Sequence, residues 1–194
     1  MKEKKEKRKW GLILFIVFIM IGTSVSFVFL GFAPVEDKVK YKGIAFEKNN
    51  NIWVAKINGA EAAFSFLPGE VEIIPEFNNS FQMLQNKYEI DSTSDLNSTH
   101  KEAIALAQYQ MGLTLQAYNI YLRKGFTANT SFIPPPPIIT CNNATQNVPV
   151  LYFKYGNSTN IHAENNCIIA EANTNADFIK AKDRLLYIML GVVK

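Results

Sequence analysis

The sequence predicts an α+β chain: an N-terminal transmembrane helix followed by one mixed-sheet domain with a long central helix and a C-terminal helix. Three observations carry that reading. A run without ionisable side chains extends from Trp10 to Ala33 behind a basic start. Short strand-like runs precede a long amphipathic stretch. Two nearly continuous apolar runs then lead into a capped terminal helix.

The basic start comes first. Residues 1–9 hold Lys2, Lys4, Lys5, Lys7, Arg8 and Lys9 against Glu3 and Glu6, whereas the remaining chain is close to neutral within a net charge of +3. A nucleic-acid partner needs a basic face on the folded domain, so this distribution argues against one. The 24 residues Trp10 to Ala33 would span about 36 Å as a helix, against a hydrocarbon core of about 30 Å. With lysines on the N-terminal flank, the positive-inside tendency keeps that end in the cytoplasm and places the rest outside. The expected organisation is a basic tail (1–9), a bilayer-spanning anchor (10–33), a linker (34–40) and an extracytoplasmic domain (41–194). A cleaved signal peptide, with Leu12 to Ile21 as its apolar region and Gly22, Thr23, Ser24 and Ser26 near the cleavage point, is the competing reading. Both readings export the domain.

Two further features fit an exported domain. Asn-x-Ser/Thr acceptors occur at Asn78, Asn97, Asn129, Asn143 and Asn157, all beyond the apolar run. The only two cysteines, Cys141 and Cys167, are an even pair in an oxidising compartment and predict a disulfide; two buried thiols are the alternative.

Within the domain, Tyr41–Lys48 and Ile52–Asn58 read as strands joined at Asn49-Asn50-Asn51, a hairpin signal. Ala63–Leu67 is a further strand, Pro68-Gly69 a turn, and Val71–Ile74 a short run ended by Pro75. Phe77–Asn86 suits a short helix and Lys87–Ser92 a strand. The strongest helix runs over residues 99–124, with Thr99 and Glu102 in capping-box spacing and Gly125 at its end. Two apolar stripes on it, one through Ile104, Ala107, Met111 and Leu115 and one through Leu106, Tyr109 and Leu113, predict that most of its circumference is covered, leaving Lys101, Gln108, Gln116, Asn119 and Arg123 as the polar strip. Pro134 to Pro137 make a stiff connection. Val148–Tyr155 and Cys167–Glu171 read as strands buried on both faces, with the polar stretch between them as a turn. The chain closes with a helix over residues 174–190, started by Thr174 and Asp177, stopped by Gly191, and carrying Phe178, Ala181, Leu185 and Ile188 toward the core.

No reaction is specified. Cys141 or Cys167 with His100 or His162 could form a nucleophile-base pair only if a third group oriented the imidazole, and no local signature supports that. No spacing suits a metal, and no cofactor is implied. Glu70 and Glu72 are expected to alternate on one strand face. The segment CIIAEA, a polar turn and FIKAKDRLLYIMLGV, with the Lys-rich start and Asn-rich body, resembles small uncharacterised archaeal single-pass membrane-anchored proteins. That resemblance implies a cell-surface setting and no activity. The expectation is a non-catalytic domain that binds a protein of the cell envelope, with an exported hydrolase using a carboxylate or Cys/His site as the alternative. An enzyme should gather two or more of Glu70, Glu72, His100, Cys141, His162 and Glu164 in one cleft. An apolar patch beside the proline run would favour binding.

Overall fold

A computed structural model describes residues 10–20, 38–77 and 80–193. The chain divides into two compact units, residues 1–37 and Lys38–Lys194. In the first, residues 10–20 form helix α1. The rest of the expected anchor lies outside the described residues, and among the described residues no helix is long and apolar enough to cross a membrane.

The second unit is α+β, with two sheets instead of the single mixed sheet expected. The first is an antiparallel meander of β1 (Lys38–Tyr41), β2 (Ile44–Asn49), β3 (Ile52–Ile57) and β4 (Ala60–Phe64). The run expected as one strand from Tyr41 is folded back at Lys42-Gly43, both at positive φ. The Asn50-Asn51 hairpin forms as predicted, both asparagines taking the left-handed conformation that their short polar side chains tolerate.

The second sheet has the order β5-β9-β10-β8-β6-β7. Its strands are β5 (Glu76–Phe77), β6 (Glu89–Ser94), β7 (Tyr121–Phe126), β8 (Val150–Tyr155), β9 (Asn160–Glu164) and β10 (Cys167–Ala172). Strands β7, β6, β8 and β10 are mutually parallel, while β9 pairs antiparallel with β10, so the sheet is mixed. The helices are α2 (Pro68–Val71), α3 (Ser80–Leu84), α4 (Lys101–Gln116) and α5 (Asn175–Met189). Helices α4 and α5 lie between the sheets: α4 contacts β4 on one side and β6 and β7 on the other, and α5 packs on β10 while Tyr187 stacks on Phe64 of β4 at 4.0 Å between ring centroids.

Several expectations are corrected. The long helix ends at Gln116, because Asn119 turns left-handed (φ 58°) and Tyr121–Phe126, with an aromatic residue at each end, pair as β7 beside β6. Its N-cap is His100, without a side-chain cap, so Thr99 and Glu102 form no capping box. Gly125 is inside β7, where a Cβ would run into Pro137 O and Ile139. The stretch expected as strand Val71–Ile74 is the end of α2 and a turn. The polar segment after β8 contains β9, whose Ile161 and Ala163 alternate inward while His162 and Glu164 point away. The central helix is α5, which contacts α2, α3, α4 and β10, and not α4. Its expected caps form: Thr174 Oγ1 accepts from Asp177 N at 3.2 Å, and Gly191 follows at φ 75°.

Candidate functional site

The two sulfurs meet. Cys141 and Cys167 form a disulfide across 26 residues, in a small cluster of Ile139, Val150, Cys167 and Ile169 on the face of the large sheet away from the helices. Closing a loop of that length contributes about 3.5 kcal/mol on the chain-entropy estimate. With both cysteines bridged, neither supplies a thiolate nucleophile.

The other candidate residues scatter. Glu70 is in α2, where its carboxylate accepts from Leu67 N at 2.7 Å. Glu72, just past α2, accepts from the Tyr41 hydroxyl and pairs with Lys42 at 3.3 Å. The two glutamates therefore do not alternate on a strand. The Tyr41 hydroxyl, followed by Lys42, holds the Glu72 carboxyl below its ordinary value. His100 stacks on Tyr155 and bonds Asn175 Oδ1 at 2.6 Å, whereas His162 stands on β9 beside Asn160 and within 3.7 Å of the exposed Glu164. Only His162 and Glu164 come together, and they do so as neighbours on an open strand face. Among the described residues no His/Cys/Asp/Glu group could hold a metal ion. Asn97, Asn129, Asn143 and Asn157 are exposed in turns and loops, and Asn78 lies outside the described residues.

What sequence reasoning missed is a surface on α4. Its Ile104, Ala107, Met111 and Leu115 stripe is buried as expected, but Leu106, Tyr109 and Leu113 are 47, 55 and 53% exposed. They remain exposed because α5, β4, β6 and β7 meet α4 on its other faces, and Gln108, expected on the polar strip, turns inward to donate to Ser92 Oγ at 2.9 Å. Beside the stripe, Tyr121 of β7 is also exposed. Tyr109, Gly112, Leu113, Ile120, Tyr121 and Leu122 line an open groove of about 500 Å³ between the helix and the strand, with Lys124 at its rim. Gly112 keeps its floor open, having only Leu122 nearby. At the far end of β7, Phe132, Ile133 and Ile138 of the proline-rich loop are exposed as well. The signal available in the sequence was the second apolar stripe itself, more than the fold could cover.

Another hollow lies at the carboxyl ends of β6 and β8, where the strand order reverses and ligands of open parallel sheets often sit. Asp95, Ser98, Thr99, Tyr152, Lys154 and Tyr155 line it. Lys154 is engaged there by Glu171 at 3.4 Å. Comparison with protein families, characterised proteins and solved structures finds no match for this chain. The site therefore rests on geometry alone: an exposed apolar stripe beside an open groove.

Proposed function

We propose that this chain is a membrane-tethered extracytoplasmic domain, without catalytic activity of its own, that binds another protein of the cell envelope. The observation that carries the binding is the exposed apolar stripe of Leu106, Tyr109 and Leu113 together with Tyr121 around the groove. Large apolar side chains clustered at a concave surface favour a protein partner, whose anchors bury them. The tether is supported by the apolar run behind the basic tail, and the outside location by the bridged cysteine pair and the exposed acceptor asparagines. The cell-surface setting implied by the archaeal resemblance agrees with this reading.

Two measurements test it. A membrane-impermeant maleimide applied to intact cells should label the chain only after a reductant, and labelling that requires broken cells sinks the outside location. A photo-crosslinking residue at Leu113 should capture one defined protein in intact cells, whereas the same residue at Lys56, on the four-stranded sheet, should not. Equal capture at both positions, or at neither, removes the surface from consideration.

A further inference from the structure

We infer that the groove receives an extended segment of the partner, which adds as a strand to the outer edge of β7 and sets a carboxylate against Lys124. The inference rests on the binding reading above and specifies its ligand.

Strand β7 is the last of the six-stranded sheet, and among the described residues β6 is its one strand neighbour. The amides of Tyr121 and Thr127 point inward, donating to Tyr88 O and Ser94 O at 2.8 and 3.1 Å. By the alternation of a strand, the backbone groups of Leu122, Lys124 and Phe126 point outward. Phe126 is already matched: it donates to Pro137 O at 3.1 Å, and its carbonyl accepts from Ile139 N at 2.8 Å. The chain's own loop thus adds to this edge as a one-residue parallel bridge, Phe126 to Ile138, and goes no further. Among the described residues nothing bonds the outward N–H and C=O of Leu122 and Lys124. Pro134 to Pro137, which precede the bridge, have no N–H to offer those carbonyls. Two pairs of unbonded backbone groups lie on a sheet edge beside an apolar groove, which is the recognition chemistry of an added strand: main-chain bonds hold it and alternate side chains enter the groove.

Charge chooses between possible strands. Arg123 is satisfied by Asp91, with both contacts at 2.7 Å, but Lys124 has only the ring of Tyr109, 5.8 Å away, and no carboxylate among the described residues. A second copy paired antiparallel through both outward positions would put Leu122 opposite Lys124 and Arg123 directly opposite Arg123, and like charges directly opposed are unfavourable. A partner strand with an acidic residue opposite Lys124 and an apolar one two positions away on the same face meets the ammonium and the groove together.

The test uses the full chain in lipid nanodiscs and the acetylated, amidated hexapeptide Thr-Val-Thr-Glu-Thr-Val, whose valines and glutamate share one face. Strand addition predicts saturable binding and at least about tenfold slower hydrogen exchange at the Leu122 and Lys124 amides. It also predicts affinity about tenfold weaker when lysine replaces the glutamate or when the protein carries Lys124→Glu, and no binding when alternate peptide amides are methylated. Lys124 is exposed on an edge strand, so the variant keeps the fold, and an unchanged exchange pattern in β6 and β8 checks this. Peptide binding without slowed exchange at those two amides overturns strand addition. So does concentration-dependent slowing without peptide, which makes a second copy the occupant. Capture at Leu113 in intact cells with unchanged exchange overturns strand addition and leaves the binding reading standing, whereas failure of both takes both down.

Discussion

Helices α4 and α5 invert what their compositions suggest. In α5 the charged run Lys182-Asp183-Arg184 is buried, with Lys182 and Asp183 at 1 and 0% exposure, while the apolar Leu106, Tyr109 and Leu113 of α4 face outward. The difference teaches that coverage, and not hydropathy, decides burial here. Helix α5 meets α2, α3, α4 and β10, so that every residue from Ala181 to Ile188 is buried. Lys182 and Asp183 persist there because they are matched: Lys182 bonds Asp183, and the other oxygen of Asp183 accepts from Ser65 N and Phe66 N, each at 2.9 Å. Burial raises the Asp183 carboxyl, and Lys182 with the two amides pulls it back. That carboxylate thereby ties the loop after β4 to the central helix. Among the described residues helix α4 has no such enclosure on its outer side, and what remains uncovered there is the surface proposed to bind a partner.

The largest expected effect breaks the buried side of this comparison. Asp183→Ala strands Lys182 and two backbone amides in the core and should cost about 3–5 kcal/mol in denaturant unfolding, more than Lys182→Met/Asp183→Asn, which keeps an acceptor for the amides and removes the stranded charge. If Asp183→Ala were as stable as the parent chain, the pair would not be holding the loop. Next, removing the disulfide as Cys141→Ser/Cys167→Ser should lower stability by about 3.5 kcal/mol, and reductant should destabilise the parent chain similarly. On the exposed side, Leu113→Asp should change stability by no more than about 0.5 kcal/mol while abolishing partner capture at the neighbouring Tyr109, because it removes an anchor and no internal contact. A loss of several kcal/mol would mean that the α4 stripe belongs to the core after all.

The smallest effect concerns the exposed tie between the first hairpin and α2. Glu72 has a folded value below its ordinary 4.5, chiefly through the Tyr41 hydroxyl and then Lys42, so its contribution is present above that unfolded value and is lost as pH falls through the folded one. Protection of the backbone amides around Lys42, corrected for the intrinsic exchange rate, should fall as pH drops below the ordinary 4.5, and Glu72→Gln should remove that dependence without moving the global midpoint.

Much of the local structure was readable because its causes are local. Thr174 and Asp177 start α5 and Gly191 stops it, since a cap needs only the residues around it. Asn50-Asn51 makes its hairpin for the same reason, and Val150–Tyr155 and Cys167–Ala172 are strands because their apolar runs fit no other element so short; Cys167–Ala172 is buried on both faces, whereas Val150–Tyr155 emerges at Lys154 and Tyr155. Strand β9 was missed because Ile161 and Ala163 are two inward residues in a polar stretch, and their alternation becomes legible only against β10. The break between α4 and β7 was missed because Tyr118 and Leu122 continue the helical stripe by position although Asn119 has already turned the chain.

By itself, then, the sequence determined the α+β class, the basic tail with its apolar run and the terminal helix, and made Cys141 and Cys167 the expected pair, with two buried thiols as the alternative that the structure removed. Tertiary structure alone decided that a second sheet exists, that α5 is the enclosed helix, and that the second stripe of α4 and the edge of β7 stay open. Caps, turns and alternation are fixed by neighbours a few residues away, whereas burial depends on which distant elements arrive to cover a face. That arrival is set by the packing of two sheets around two helices, which no single segment encodes.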